Sequence, residues 1–252
     1  MKILLAILTC PRFLDRRNAI RDTWLKSLND LKVVGEFYNI DVMFFSGHLP
    51  CSPDDYLGDI VHLDCPDSYE ELPLKTYALA KYAQNHDYDY LLKCDDDTYM
   101  VPLPDIMDGL FVRDHCVGHL RIKPTINDGI DYSHGGCYTL PCRGIAAVVE
   151  HPEFFNKGIE DGAVGRAMHA AGVPLKHEAR IFHNSRQLFA WGSPNGVIAA
   201  HQVTPNVMYQ LHEKYRLYIL AYLNEAIERD REERALSKAA YMRRNRSAST
   251  RA

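Results

Sequence analysis

The sequence lacks any long hydrophobic run and has no marked excess of either charge. Its 252 residues are 46% hydrophobic and 25% charged, with a formal net charge of -4 and a sequence pI near 6.3. This balance gives no general electrostatic reason to bind nucleic acid, so we expect no nucleic-acid partner. The apolar opening, residues 3–8, is far shorter than the about 18 residues of a membrane-spanning helix. We interpret it as a buried strand and expect a cytoplasmic protein with no signal peptide or membrane anchor.

The cysteines form no recognisable framework. There are seven, and none belongs to a CxxC pair or to a spacing typical of zinc ligands. Most are predicted to be buried thiols. Cys137 and Cys142 are close enough in sequence to bridge in an oxidising compartment, which a cytoplasmic location disfavours.

Strand-like segments alternate with helical patterns in the first hundred residues. Ile20, Trp24 and Leu28 recur every fourth residue, as in a helix packed on a sheet, and Ser68 with Glu71 fits a capping box before a second helix. Strands are predicted at residues 3–8, 42–45, 60–63 and 90–95. The alternation predicts an α/β fold with a mostly parallel sheet and helices on both faces, in which ligands bind beyond the carboxyl ends of the strands.

An acidic triplet follows the last of these strands. Asp95, Asp96 and Asp97 cannot lie unpaired in the core, so we expect them at the edge of a ligand crevice. Carboxylates there can bind Mg²⁺ or Mn²⁺ while a diphosphate supplies further oxygens. A solvated acidic turn is the alternative for an isolated triplet. A phosphatase of the haloacid dehalogenase type is another, but that pattern requires Thr or Val where this chain has Tyr99.

Six segments in order resemble the superfamily of β1,3-galactosyltransferases, β1,3-N-acetylglucosaminyltransferases and Fringe. Residues 17–24 are similar to its R-x-A-I-R-x-T-W element, and residues 67–76 to D-S-Y-x-N-L-x-L-K-T. The acidic triplet follows. The later segments are residues 135–140 (GGCYTL), 160–162 (EDG) and 201–208 (HQVTPNVM). The chain departs from the pattern at Glu71, Pro141 and Gly162, which replace Asn, Ser and Val.

The resemblance implies the two-lobed nucleotide-sugar transferase fold called GT-A. We expect one catalytic domain over residues 1–240: a nucleotide-sugar half (about 1–100), a fused acceptor-side half (about 101–204) and a C-terminal helix (205–240). Residues 241–252 are predicted to be a basic, disordered tail that makes at most weak contact with a membrane surface.

The resemblance also implies roles in binding the donor. Asp97 would bind Mn²⁺ or Mg²⁺, and Asp95 and Asp96 would hold the sugar, the ribose or a metal-bound water. His201 is predicted as the second protein ligand to the metal, through a neutral imidazole nitrogen, with His183 as its competitor.

The resemblance implies an inverting transfer of a sugar to an acceptor hydroxyl. Such a transfer requires a carboxylate that removes the proton from this hydroxyl. Asp161 fits this role, since the start of a helix favours the ionised form. Alternatively, Glu160 and Asp161 only cap the helix, although Glu160 is also a candidate to lie near donor or acceptor.

Other candidates have structural alternatives of equal weight. Gly135 and Gly136 either allow the backbone to approach donor or acceptor closely or form a turn. Arg21 and Lys75 either bind the UDP-sugar or serve in surface pairing and helix packing. Trp191 is predicted to stack on an acceptor sugar.

The sequence therefore predicts an inverting hexosyltransferase that uses UDP-galactose or UDP-N-acetylglucosamine with Mn²⁺ or Mg²⁺. The acceptor would be a glycan, a lipid-linked glycan or a glycoprotein, and the linkage β1,3. The alternative is a catalytically silent module of the same fold that binds UDP-sugar or carbohydrate.

Overall fold

The computed structural model describes residues 1–33, 39–47, 53–122, 125–156, 158–183 and 196–249. Within them the helices are α1 (Leu14–Asp22), α2 (Trp24–Val33), α3 (Leu72–Asn85), α4 (Pro104–Met107), α5 (Cys142–Glu150), α6 (Glu160–Ala170) and α7 (Pro205–Ser249). The strands are β1 (Ile3–Leu8), β2 (Ile40–Gly47), β3 (Ile60–Leu63), β4 (Tyr90–Asp95), β5 (Tyr99–Met100), β6 (Cys116–Arg121), β7 (Tyr132–Pro141), β8 (Leu175–His177), β9 (Ile181–Phe182) and β10 (Ala199–Ala200).

The larger sheet has the strand order β3-β2-β1-β4-β7-β6-β8. Strands β3, β2, β1 and β4 are parallel, whereas β7 is antiparallel to both β4 and β6. A small second sheet has the order β5-β10-β9 and lies beside β6 and β7. The mostly parallel sheet expected from the sequence is confirmed, and its antiparallel part carries the second half of the chain.

Both faces of the larger sheet are covered. Ile3, Leu5 and Ile7 of β1 pack into one core cluster with α1, α2 and α7. Leu4 and Ala6 belong to the opposite cluster, with α3, α5 and α6. Side chains alternate across a strand, so a strand buried on both faces is expected to be almost entirely apolar, as β1 is. Full burial of one such Leu or Ile contributes about 1.5–3 kcal/mol.

The first predicted helix is interrupted. Ile20, Trp24 and Leu28 are buried as expected, but α1 ends at Asp22 and α2 begins at Trp24. Thr23 between them has φ -113° and ψ -108°, and its hydroxyl donates a 2.6 Å hydrogen bond to the carbonyl oxygen of Ala19. This local bond lets the chain turn while its apolar side chains stay in the core.

One local prediction is wrong, and one of two open alternatives is excluded. The capping box of Ser68 and Glu71 does not form, because α3 begins at Leu72 and Glu71 makes no side-chain cap hydrogen bond. Gly135 and Gly136 do not form a turn but lie within β7.

Helix α7 continues past residue 240, where the sequence suggested a disordered tail, and ends at Ser249. It packs on α1 and α2 through Met208, Leu211, Tyr215 and Ile219, which recur every three or four residues. Among the described residues, no helix is both long enough and apolar enough to cross a lipid bilayer.

The cysteines that the structure describes are free thiols. Cys10, Cys65, Cys94, Cys116 and Cys137 are buried, and Cys142 is exposed, so the pairing considered for the last two is absent here.

Candidate active site

The acidic triplet lies where the carboxyl ends of β1 and β4 meet the second sheet. Asp95 ends β4 beside Leu8 of β1, and Asp97 lies in the turn that follows. The backbone N–H of Val203 donates to the carbonyl oxygen of Asp97 at 2.8 Å, which holds the segment after β10 against this turn. His201 of that segment therefore lies beside the aspartates, although it is about a hundred residues away in the sequence.

Asp95, Asp97 and His201 form a possible metal site, because each offers a ligand atom within 4.8 Å of the others. Nε2 of His201 lies 3.0 Å from Oδ1 of Asp97 and 3.4 Å from Oδ2 of Asp95. The buried Oδ1 of Asp97 nevertheless has no partner with hydrogen-bond geometry among the described residues. Adjacent ligands of an octahedral ion bound at about 2.1 Å stand about 3.0 Å apart, so the arrangement fits Mg²⁺ or Mn²⁺.

The ionised forms of His201 and the two aspartates stabilise one another. Burial disfavours the protonated form of His201, but its contacts with Asp95 and Asp97 outweigh burial and raise the pKa to about 9. Burial likewise opposes ionisation of Asp95, but the ammonium of Lys93 and the ring of His201 bring its pKa below the ordinary value. A metal ion would replace the proton on the imidazole.

Asp96 is placed differently from its neighbours. Its carboxylate is buried and accepts hydrogen bonds from the hydroxyl of Thr9 at 2.7 Å and from the guanidinium of Arg16 at 2.8 Å. Burial raises the pKa of Asp96 to about 6. Asp96 thus ties β4 to the end of β1, and Arg16, which also lies 3.6 Å from Asp97, is a cation of the site that sequence reasoning missed.

Lys93 is a second residue that sequence reasoning missed. Its side chain is 2% exposed, and its ammonium lies 2.7 Å from Oδ1 of Asp95 and 3.6 Å from Oε2 of Glu160. It also donates a 2.6 Å hydrogen bond to the carbonyl oxygen of Gly135. A lysine within a buried apolar strand requires a partner, and this was the signal available in the sequence.

Asp161, the predicted base, lies in the first turn of α6. Its Oδ2 accepts from the backbone N–H of Gly135 at 3.1 Å, and its Oδ1 from that of Gly162 at 2.9 Å. Burial raises the pKa of Asp161, against the influence of Lys93 and these N–H groups. The helix start was expected to favour ionisation, but burial outweighs it, and a raised pKa makes the carboxylate a stronger base.

Glu160 faces inward. It accepts hydrogen bonds from the hydroxyls of Tyr138 at 2.6 Å and Thr76 at 3.0 Å, and burial raises its pKa. Through these two hydrogen bonds the buried Glu160 connects α6 to α3 and β7.

Because Gly135 and Gly136 have no side chains, neighbouring side chains of the protein lie close to their backbone. A Cβ at Gly135 would lie 2.9 Å from Oε2 of Glu160, and a Cβ at Gly136 would lie 2.4 Å from Cγ of His201. The carbonyl oxygen of Gly136 accepts a 2.8 Å hydrogen bond from the hydroxyl of Thr98. The backbone of these two glycines is therefore closely approached by protein side chains on opposite sides of β7, and an approach to donor or acceptor stays a prediction.

Arg21 and Lys75 are engaged in ion pairs. Arg21 contacts Asp59 at 2.8 Å and Asp54 at 2.6 Å. The buried Lys75 pairs with Asp67 and lies near the end of β1. Both therefore make ion pairs of the kind that the sequence offered as the alternative, and their binding of UDP-sugar stays a prediction. Trp191, the predicted sugar platform, lies outside the described residues.

Comparison with known proteins is consistent with these motifs. The model of the family described as Galactosyltransferase matches residues 15–110. A hydroxyproline O-galactosyltransferase of Arabidopsis thaliana is 31% identical over 103 residues, which are 39% of this chain and 15% of the relative. The beta-1,3-galactosyltransferase 4 of Homo sapiens is 33% identical over 121 residues, 44% of this chain and 32% of the relative. The matches thus span less than half of either relative, and the resemblance to the galactosyltransferase superfamily is confirmed.

A solved structure extends the likeness to the fold. The apo form of the glycosyltransferase GlyE from Streptococcus pneumoniae TIGR4 superposes with a TM-score of 0.51 at 8% identity, over 91% of this chain and 64% of GlyE. At this identity the likeness concerns the fold alone. The GT-A type fold predicted from the sequence is confirmed.

Proposed function

We propose that this protein is a metal-dependent, inverting glycosyltransferase that moves a hexose from a UDP-sugar to an acceptor hydroxyl. The observation that carries the proposal is the presence of two separate polar groups around β7. Asp95, Asp97 and His201 have the donor set of a divalent metal site on one side. Asp161 is anchored to the backbone of Gly135 on the other.

The metal would be Mn²⁺ or Mg²⁺, held by Asp97 and His201 with Asp95 nearby, and when bound it would neutralise charge developing on the departing diphosphate. Asp161 would accept the proton of the acceptor hydroxyl. As that proton leaves, the hydroxyl oxygen bonds to the anomeric carbon on the face opposite UDP. The bond from carbon to the UDP oxygen breaks, and its electron pair leaves with the nucleotide.

Lys93 and Glu160 would position these groups and not touch the substrate. Lys93 links Asp95, the carbonyl of Gly135 and Glu160. The same buried ammonium therefore acts on the donor side and on the helix that carries Asp161.

The finer identity of the substrates follows from the resemblance. The relatives' names mention galactose transfer, β1,3 linkage and hydroxyproline. We propose galactose or N-acetylglucosamine as the donor hexose, and a glycan, lipid-linked glycan or glycoprotein as the acceptor, joined through a β1,3 linkage. The proposal is tested by incubating the chain with each UDP-sugar and an acceptor panel, with and without Mn²⁺. If UDP binds but neither transfer nor UDP release occurs, the chain is a silent binding module. If UDP does not bind, the proposed enzyme and a silent module that binds UDP-sugar both fail, and only a module that binds carbohydrate is left.

Two variants separate the proposed roles. Asp161→Asn is expected to retain Mn²⁺-dependent UDP binding and to lower turnover by about 10²–10⁴-fold, because it cannot accept the proton. Asp97→Ala is expected to lose Mn²⁺-dependent UDP binding itself. The exposed Glu150→Gln is the matched control for charge removal. Wild-type turnover in Asp161→Asn would exclude Asp161 as the base.

A further inference from the structure

Three histidines converge beside the acidic triplet. His183 directly follows β9, and His201 directly follows β10. These two strands are parallel and paired, with Phe182 opposite Ala200, so the two histidines lie at the same end of the second sheet. His134 of β7 faces them. Ring centroids lie 4.0 Å apart for His134 and His183, 5.3 Å for His134 and His201, and 6.2 Å for His183 and His201.

This set is a ligand group distinct from the one with the aspartates. Each of the three rings offers a nitrogen within 4.8 Å of the other two. The interplanar angles of 65°, 59° and 34° show that the rings are not stacked face to face. Three converging imidazoles suit Zn²⁺, whereas carboxylate oxygens suit Mg²⁺ and Mn²⁺.

The hydrogen bonding leaves ring nitrogens for a ligand. The buried Nδ1 atoms of His183 and His201 have no hydrogen-bond partner among the described residues. Nδ1 of His134 accepts only a long, 3.3 Å hydrogen bond from the backbone N–H of Gly136. Buried polar atoms are normally paired, and an ion or ordered water accounts for such exceptions.

We propose that His134, His183 and His201 form a binding site for Zn²⁺ that overlaps the Mn²⁺ or Mg²⁺ site of the aspartates at His201. Zinc bonds to imidazole nitrogen at about 2.0–2.1 Å, which places tetrahedral ligands about 3.3 Å apart. The three ligand nitrogens lie within 4.8 Å of one another, so binding of zinc would require the half-buried rings to move closer together. The fourth position is left for water.

The two sites share His201. Its Nε2 faces Asp95 and Asp97, while its Nδ1 is the unpartnered atom. A neutral imidazole has one lone pair for a metal, so zinc at the histidines and manganese at the aspartates exclude each other. Zinc is thus a competitor of manganese that acts from a different ligand set.

The test is the metal affinity of the purified full chain without UDP, measured for Zn²⁺ and Mn²⁺ by competition with a chromophoric chelator. His134→Ala and His183→Ala are each expected to lower Zn²⁺ affinity by about tenfold or more and to change Mn²⁺ affinity by less than about twofold. His134→Asn and His183→Asn repeat the measurement with smaller changes of shape, and circular dichroism verifies folding. His169→Ala, at an exposed position of α6, is the control.

A second readout identifies the ligands. Co²⁺ bound by three imidazoles and water is expected to show the visible absorption of a four-coordinate ion, and this band should be absent in His134→Ala. Wild-type Zn²⁺ affinity in the His134 and His183 variants would overturn the proposal, because zinc would then bind only at the aspartates or an ordered water would occupy the cluster. None of these outcomes depends on sugar transfer, so failure here is distinguishable from failure of the proposed enzyme activity.

Discussion

Replacing Lys93 with methionine tests whether one buried cation holds the two sides of the site together. Methionine keeps an unbranched side chain but cannot pair with Asp95 or Glu160, and it cannot donate to the carbonyl oxygen of Gly135. Lys93 is 2% exposed, and its ammonium contacts these groups at 2.7, 3.6 and 2.6 Å. The variant would therefore leave two carboxylates and one carbonyl without their shared partner.

The expected loss follows from the burial of these groups. Removing one member of a buried ion pair lowers the free energy of unfolding by about 3–5 kcal/mol. Glu160 is 8% exposed, so its lost ion pair is expected to account for most of the decrease in the free energy of unfolding. Asp95 is 28% exposed, so its ion pair is partly screened by solvent and contributes less. We therefore expect Lys93→Met to lower the free energy of unfolding by about 3 kcal/mol at pH 8, near the lower end of that range.

The loss should depend on pH. Burial already raises the pKa of Glu160, with Lys93 opposing the shift, so the variant raises it further. A carboxyl whose folded pKa exceeds its unfolded pKa contributes stability that is present at low pH and is lost as pH rises through the folded pKa. The stability deficit of Lys93→Met should accordingly be larger at pH 8 than at pH 5.

The assay is urea unfolding followed by circular dichroism at both pH values. Lys81→Met, at an exposed position of α3, should change stability by less than about 0.5 kcal/mol. Adding Glu160→Gln to Lys93→Met should restore part of the loss, because the unpaired buried charge is removed. A deficit below about 1 kcal/mol, or one that is equal at pH 5 and pH 8, would refute the role assigned to Lys93.

Two further predictions concern the metal site. Gly136→Ala places a Cβ 2.4 Å from Cγ of His201, so the ring must move. The Mn²⁺-dependent affinity for UDP is expected to fall by about tenfold or more, while the circular dichroism spectrum stays unchanged. Wild-type affinity in titration calorimetry would contradict this prediction. Because the pKa of His201 is raised to about 9, Mn²⁺ must displace a proton below that pH, and its affinity should rise by about tenfold per pH unit between pH 7 and pH 8.5. Calorimetry in buffers of different ionisation enthalpy should show release of about one proton, and a pH-independent affinity would refute the assignment.

Much of the fold could be predicted from local pattern. Strand β3 begins and ends at Ile60 and Leu63 as predicted, since a short apolar run between turns has few alternatives. The break at Thr23 could not be predicted, because the periodicity of the apolar residues continues across it. The failed cap at Ser68 shows the same limit, since where a helix begins depends on the packing of its first turn.

The site was predictable in part. The acidic triplet was found from its position behind a strand, but the proximity of His201 to Asp97 came only from the resemblance, because no local rule links residues a hundred positions apart. The partners of Arg21 were equally inaccessible, since Asp54 and Asp59 follow from tertiary packing. Lys93 did carry a local signal, a charge inside an apolar strand, but its partners required the structure.

Gly135 and Gly136 of β7 form a partition, one backbone thick, between the candidate metal site and the acidic residues of α6. With no side chains there, a single peptide backbone separates His201 from the pair of Glu160 and Asp161. All four polar backbone groups of this dipeptide are bonded to side chains, among them Asp161, Lys93 and Thr98. The spacing between the two sides is therefore a property of the main chain, and no rotation of a side chain within the partition can widen or narrow it.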